Sequence, residues 1–185
     1  MNLSDGLLKA LDTKSKIVNK IETTNVEAYE YYLKGKYKWL KRENQEDIEI
    51  AKELIKKSIK LDKNPLRAEV LLAFIYNDSS DYDLAMEIFI QAVKKAEEIS
   101  DDRCLGFSFM GIGHIYQAKG EYDTAIDYYS LALDVLEGID DKAGIGHCLA
   151  SFGQGYHSKG DFNNAFDNYK KSLIIFEEIG SQYDI

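Results

Sequence analysis

Small and aromatic residues recur along this chain at a fixed interval of 40 positions. Residues 101–139 align with residues 141–179 without a gap, and the same step backwards reaches a third copy. The matched positions of the two later copies are Gly113 with Gly153, Tyr116 with Tyr156, Ala125 with Ala165, and Tyr129 with Tyr169. A period of this length is typical of a protein that is built from stacked structural repeats.

Each repeat is predicted to form two amphipathic helices that are joined by a tight turn. Gly120 and Gly160 stand at the turn, where glycine supplies the left-handed conformation that ends a helix. Glu121 and Asp161 follow, and an acidic residue favours the start of the second helix. A single hairpin cannot bury its apolar face, so neighbouring hairpins must cover it. The predicted fold is therefore all-α, a right-handed α-α superhelix (solenoid) of stacked antiparallel helix hairpins.

These positions resemble the signature of the tetratricopeptide repeat family. The spacing is carried by Phe109, Ile112, Gly113, Tyr116, Ala125, Tyr129 and Ala132. The family's usual repeat is about 34 residues, so a step of 40 implies helices that are longer by about a turn and a half. That resembles the long-repeat subclass of adaptor and regulatory proteins. The stretch Asn25–Trp39 is similar to the start of such regions where they follow cyclase or kinase domains in bacterial signalling proteins. Residues 180–185 repeat the pattern of residues 140–145, so we expect this chain to be a fragment of a larger bacterial or archaeal signalling or regulatory protein.

The repeat register divides the chain into an N-terminal segment and a repeat domain. Residues 1–25 are predicted to form an amphipathic helix or linker, and residues 26–185 the tetratricopeptide domain. The predicted units are a degenerate repeat at 26–64, repeats at 65–99, 100–139 and 140–179, and the start of a further repeat at 180–185.

Composition and charge narrow the class of partner. Hydrophobic residues make up 45% of the chain and there is one proline, which fits an all-helical soluble protein. The net charge of -9 is uneven: residues 1–64 carry +3 and residues 65–185 carry -12. An acidic surface repels phosphate backbones, so we expect no nucleic-acid partner. No apolar run reaches the roughly 20 residues of a membrane span. Two isolated cysteines fit a reducing compartment, and we expect a cytoplasmic protein.

No residue pattern in the chain indicates chemistry. The glycine pairs, such as Gly111 and Gly113, lack the third glycine or the Lys-Ser/Thr of a phosphate-binding loop. His147 and His157 are about 15 Å apart along one predicted helix and cannot share an ion. The cluster at 78–83 lacks the glycine of a calcium loop. We therefore expect no catalytic residue, no metal and no cofactor, and a protein that is not an enzyme.

The family resemblance implies a concave surface that the first helix of each repeat lines. Carried over by register, the lining residues are Arg67, Val70, Phe74, Asn77, Phe107, Met110, His114, Gln117, His147, Ala150, Gln154 and His157. Apolar anchors mixed with amide and imidazole groups suit an extended or helical peptide. Arg67 is the one cation of the set, so the lysine-and-arginine clamp for a peptide's terminal carboxylate is not expected. The predicted function is protein or peptide binding, as an adaptor or the partner-sensing region of a larger protein. The alternative is a structural spacer or self-association domain with no groove ligand, and a homodimer is compatible with both.

Overall fold

The computed structural model describes residues 25–183, with side chains described through residue 180. Eight α-helices and no strand occupy this range. In chain order they are α1 (Val26–Leu40), α2 (Gln45–Leu61), α3 (Leu66–Asp78), α4 (Tyr82–Ile99), α5 (Asp102–Ala118), α6 (Tyr122–Gly138), α7 (Lys142–Lys159) and α8 (Phe162–Tyr183). The chain divides into two compact units, residues 1–71 and 72–185.

In the first unit, α1 and α2 form a hairpin that polar side chains hold together where α1 begins and α2 ends. The Asn25 side chain accepts hydrogen bonds from the backbone N–H groups of Glu27 and Ala28, which caps the start of α1. Its amide nitrogen donates to the carbonyl of Leu61 at 2.9 Å. Deeper in the hairpin, the buried Ser58 hydroxyl donates to the Ala28 carbonyl at 2.8 Å. Sequence-distant residues therefore align the two helices antiparallel.

In the second unit, α4 to α8 stack in chain order, and each helix contacts the next. The first helices α5 and α7 also contact each other directly. The core of this stack is formed by Met110, Ala125, Tyr129, Ala132, Leu136, Cys148 and Phe152. Tyr129 and Leu136 of α6 are fully buried between α5 and α7, since the second helix of one hairpin packs against the first helix of the following hairpin.

The turns use the left-handed backbone conformation that the sequence predicted at two of them. Gly120 and Gly160 have φ of 80° and 87°. Ser80 stands at the equivalent place of the α3–α4 turn and adopts φ of 64°, although it is not glycine. Between hairpins, Ser100 and Asp140 have φ of 56° and 51°. The chain direction thus reverses at both kinds of turn through one left-handed residue.

The all-α class of stacked antiparallel hairpins is confirmed. The predicted helix or linker at residues 1–25 lies outside the described residues, apart from Asn25. Helix α8 continues through Gly180 to Tyr183, so the further repeat at 180–185 stays a prediction. The division of the chain into repeats and domains likewise stays a prediction. None of the helices between residues 25 and 183 combines the length and apolar composition that a bilayer span requires.

Candidate functional site

A cleft of about 330 Å³ opens in the second unit where α3, α5 and α7 end. Its lining residues are Asn77, Asp78, His114, Gln117, Ala118, Tyr122, Gln154 and Ser158. They come from the last turns of the three first helices and from the start of α6. The volume is at the lower end of the range of roughly 300–1,000 Å³ that ligand sites in proteins occupy.

The cleft collects side chains from equivalent positions of successive repeats. Asn77 and Gln117 are separated by one repeat step, and so are His114 and Gln154. Four residues of the predicted concave set therefore line one cleft, because stacking brings the ends of the first helices side by side. All four side chains carry hydrogen-bonding groups, and none is an acid or a primary amine.

His114 is hydrogen-bonded to Ser151 of α7 at the floor of the cleft. Its Nε2 atom lies 2.8 Å from the Ser151 hydroxyl oxygen, and that hydroxyl donates to the His147 carbonyl at 3.1 Å. With the hydroxyl hydrogen on the carbonyl, Nε2–H of His114 is the donor to Ser151. The imidazole edges contact Phe74 and Tyr129, with ring centroids 5.9 and 5.6 Å apart. Burial lowers the pKa of His114 to about 4, so the ring is neutral at physiological pH.

Gln117 connects the core to the neighbouring first helix. The buried Tyr129 hydroxyl donates to Gln117 Oε1 at 2.6 Å, and Gln117 Nε2 donates to the Ser158 hydroxyl at 3.2 Å. Both amide ends of Gln117 are thus engaged within the fold. Together with the His114–Ser151 bond, this link orients the polar groups of α5 against α7 before any ligand arrives.

Two groups in the cleft are left available for a ligand. The Oδ1 atom of Asn77 is buried and has no hydrogen-bond partner among residues 25–183. Gln154 is exposed, and its side chain makes no hydrogen bond within the same range. An unpaired buried acceptor costs roughly 1–3 kcal/mol, so a ligand that donates a hydrogen bond to Asn77 would recover that cost.

The cleft lining carries one acidic residue and no lysine or arginine. Asp78 is the acid, and His114 is neutral because burial lowers its pKa. Lys119 and Lys159 directly follow lining residues in the sequence, but neither lines the cleft, and Lys159 pairs with Asp123 on α6. A ligand carboxylate would meet no positive charge among the lining side chains.

Three of the apolar residues predicted to line the concave surface pack into the fold. Met110 belongs to the core and is 5% exposed, and Phe74 packs on Phe89 with ring centroids 5.0 Å apart. Phe107 is half-buried against the same core, and the Arg103 guanidinium covers its ring at 5.8 Å. None of these three side chains lines the cleft.

The remaining predicted residues lie outside the cleft. His147 and His157 are exposed and contact Phe176 and Phe162 edge-on, with ring centroids 5.0 and 5.5 Å apart. Ala150 is half-buried on α7. Arg67 and Val70 belong to the first compact unit, where Arg67 is exposed and Val70 is 5% exposed.

Four lining residues were absent from the sequence-based set, namely Asp78, Ala118, Tyr122 and Ser158. Three of them directly follow, or lie within one turn of, predicted residues at the helix ends. Tyr122 begins the second helix after the Gly120 turn, which returns the chain beside the end of α5. The turn position in the sequence was the signal that could have identified them.

No group of three or more His, Cys, Asp or Glu side chains that could hold a metal ion occurs in the part of the chain that the structure describes. Cys148 is buried in the core, and its thiol donates to the Tyr129 carbonyl at 3.2 Å. Burial raises the pKa of Cys148 to about 12, which makes it an inert core residue.

Residues 106–178 match the tetratricopeptide repeat family in sequence. No curated protein matches the chain. The fold is shared with a Rap protein that was crystallised in complex with Competence and Sporulation Factor, at 20% identity and a TM-score of 0.69, over 89% of this chain and 48% of that one. The fold is also shared with aspartyl phosphate phosphatase F from Bacillus subtilis, at 18% identity and a TM-score of 0.65, over 83% of this chain and 41% of that one. The tetratricopeptide domain of Arabidopsis FLU is a third such structure, at 21% identity and a TM-score of 0.55, over 61% of this chain and 95% of that one.

The fold and the cleft define an all-α helical repeat protein whose first helices share a polar surface. Residues 106–178 are thus of the tetratricopeptide type by sequence, and the described part of the chain has the fold of helical repeat proteins. The chain spans 41% to 64% of the length of the first four similar structures, and the likeness to them is one of fold. Folds of this type generally serve as protein-interaction modules.

Proposed function

We propose that the chain binds a peptide segment of another protein in the cleft at the ends of α3, α5 and α7, as an adaptor or the partner-sensing region of a larger protein, and that it has no catalytic role. The observation that carries the proposal is the set of amide groups from three successive first helices around one cleft. Side-chain amides can pair with the N–H and C=O groups of an extended peptide backbone.

The unpaired acceptor on Asn77 favours a ligand that offers N–H groups. A peptide backbone offers one at nearly every residue. Gln154, on the opposite wall, provides both a donor and an acceptor to the same backbone. Gln117 and His114 are already oriented by Tyr129, Ser158 and Ser151, so binding would not have to order them.

Charge favours a neutral or basic peptide segment. Asp78 is the charged lining residue, and the chain from residue 65 onwards carries a net charge of -12. A free carboxylate at the end of a peptide would be repelled by Asp78 and would find no cation among the lining side chains. The proposed ligand is therefore an internal or basic segment. The same acidic surface supports the expectation that nucleic acid is not a partner.

The similar structures support the proposal at the level of fold. One of them was crystallised with Competence and Sporulation Factor bound. A cytoplasmic location belongs to the proposal as well, and it is supported by Cys104 and Cys148, which are free thiols buried as small hydrophobic groups. The alternative role as a spacer would leave the cleft without a ligand.

The test is a selection of displayed peptides against the immobilised chain, followed by fluorescence anisotropy with the selected synthetic peptides. Asn77→Ala and Gln154→Ala should each weaken binding by about tenfold, which corresponds to ~1.4 kcal/mol for a lost hydrogen bond. Neither change removes an apolar contact of the core, so the thermal midpoint should stay close to that of the wild type.

Gln91→Ala is the matched control, because Gln91 is an exposed α4 residue that pairs with Glu87 away from the cleft. It should leave the affinity unchanged. Selected peptides that bind all three variants as tightly as the wild type, or a selection that yields no binder, would disprove the proposal. Phe107 is unsuitable for this test because its ring packs on the core.

A further inference from the structure

The outer face of α8 exposes a row of large apolar side chains. Phe162, Phe166, Tyr169 and Leu173 are 65%, 67%, 42% and 57% exposed. Their spacing of four, three and four residues puts them on one side of the helix. We call these four residues the α8 stripe. None of them lines the cleft.

The stripe lies on the side of α8 that corresponds to the side of α6 on which α7 packs. One repeat step earlier, its members correspond to Tyr122, Ile126, Tyr129 and Leu133 of α6. Helix α7 packs on α6, and Tyr129 is fully buried there. The stripe is therefore a surface of the shape that accepts a helix alongside, and within the described residues no helix follows α8.

We propose that the α8 stripe binds a second copy of this chain, with the two α8 helices antiparallel about a two-fold axis. With Leu173 of both copies at the axis, Phe166 lies opposite Gly180 of the other copy. A Cβ added at Gly180 would meet no atom within 4 Å, so the backbone there leaves room for an aromatic ring. A two-fold contact of this kind uses the same surface on both subunits and closes on itself.

Charge along the edge of the stripe selects this alignment. Lys170 and Glu177 are two turns apart on the open edge of α8, and both are exposed. In the proposed alignment Lys170 lies opposite Phe176 of the other copy, one residue from Glu177 and within reach of its carboxylate along the same edge, and the symmetry repeats the pair. Neither side chain forms an ion pair with another described residue. A shifted alignment that placed Lys170 opposite Lys170 of the other copy would be repulsive.

The area of the stripe sets the strength of the contact. At about 200 Å² for a large side chain, the exposed fractions amount to roughly 450 Å² of apolar surface on each copy. A stable interface buries about 800 Å² on each side, so the stripe supplies roughly half of that area. The dimer should be weak and concentration-dependent. Because none of the four stripe residues lines the cleft, the proposal does not rest on peptide binding there.

Sedimentation equilibrium of the full 185-residue chain tests the proposal. The wild type should show a reversible monomer–dimer equilibrium. Leu173→Asp should raise the dissociation constant by more than tenfold, because it places two charges at the axis. Leu131→Asp is the matched control: Leu131 is 46% exposed on α6 and outside the stripe, so this variant should dimerise like the wild type.

Charge reversal identifies the alignment. Lys170→Glu and Glu177→Lys should each weaken the dimer by about tenfold, since each creates two like-charge contacts. The double variant should restore the dissociation constant to that of the wild type. A wild-type chain that stays monomeric at all accessible concentrations would overturn the proposal. So would a dimer that survives Leu173→Asp, or single charge reversals that the double variant fails to rescue.

Discussion

The hairpin α5–α6 and the hairpin α7–α8 have nearly the same pattern of residues but bury it to different depths. Tyr129 of α6 is fully buried, whereas Tyr169, one repeat step later on α8, is 42% exposed. Each ring packs on a glycine of its own first helix, Gly113 or Gly153. The difference is that α7 covers the outer side of α6. Burial in this fold therefore depends on the neighbouring hairpin as much as on the residue itself.

The same comparison applies to the polar residues of the cleft. His114 on α5 is half-buried and bonded to Ser151 of α7. Gln154, its counterpart on α7, is exposed and makes no hydrogen bond among the described residues. A polar residue at this position is held within the fold when the first helix of the following repeat lies beside it. Without such a helix among the described residues, the side chain remains available to a ligand.

The largest expected effect is a difference between two tyrosine truncations. Tyr129→Ala should lower the free energy of unfolding by ~3–5 kcal/mol, because it leaves a cavity that α5 and α7 enclose. Tyr169→Ala should cost less than half as much, since one side of that ring already faces solvent. Urea unfolding of dilute protein measures both. Equal losses in the free energy of unfolding would mean that the Tyr169 ring is as fully enclosed as the Tyr129 ring, which would contradict the comparison.

Next in size is the pH dependence that His114 imposes. Its folded pKa of about 4 is below the ordinary value of 6.5, so between these values the unfolded chain binds a proton that the folded chain does not. The free energy of unfolding should therefore be complete above pH 6.5 and decline as the pH falls towards 4, by at most ~3 kcal/mol.

His114→Gln keeps a donor for Ser151 and should remove this component of the decline, while carboxylates continue to contribute theirs. His157→Gln changes an exposed histidine and should leave the profile of the wild type intact. Parallel profiles for the wild type and His114→Gln in urea titrations would show that His114 is not shielded from solvent.

The smallest expected effect is a difference in stability between alanine substitutions at two glycines. At Gly113 an added Cβ would lie 2.5 Å from the enclosed Tyr129 ring and 3.1 Å from the Ala125 carbonyl, so Gly113→Ala should cost ~1–3 kcal/mol. At Gly153 the Cβ would lie 2.6 Å from the Tyr169 ring, which can turn outwards. Gly153→Ala should be close to neutral, because the roughly 1 kcal/mol gain in helix propensity offsets the adjustment. Thermal unfolding of the pair is the measurement, and an equal cost at both sites would contradict the comparison.

The sequence predicts the fold well because the repeat period is carried by packing residues. Gly113, Ala125 and Tyr129 recur since two helices can approach closely only where small residues oppose large ones. The left-handed turn residue was predictable where it is glycine and not where it is Ser80. Register alone thus identifies the helix pairs and most of their turns.

The cleft was only partly predictable from the same register. The repeat register assigns a residue to the inner face of a helix, but it does not report how far the next helix covers that face. Met110 was expected on the surface and is buried under that cover, whereas Asn77 and Gln154, at the helix ends, line the cleft. Tyr122 and Ser158 join them because the turns bring the chain back beside those ends.

Hydrogen–deuterium exchange of the chain with and without a selected peptide would locate the peptide site. We expect slower exchange at the C-terminal turns of α3, α5 and α7, around Asn77, Gln117 and Ser158, with little change in α1 and α2. Protection that appears only on α8, or that spreads evenly over all helices, would contradict a peptide site in the cleft.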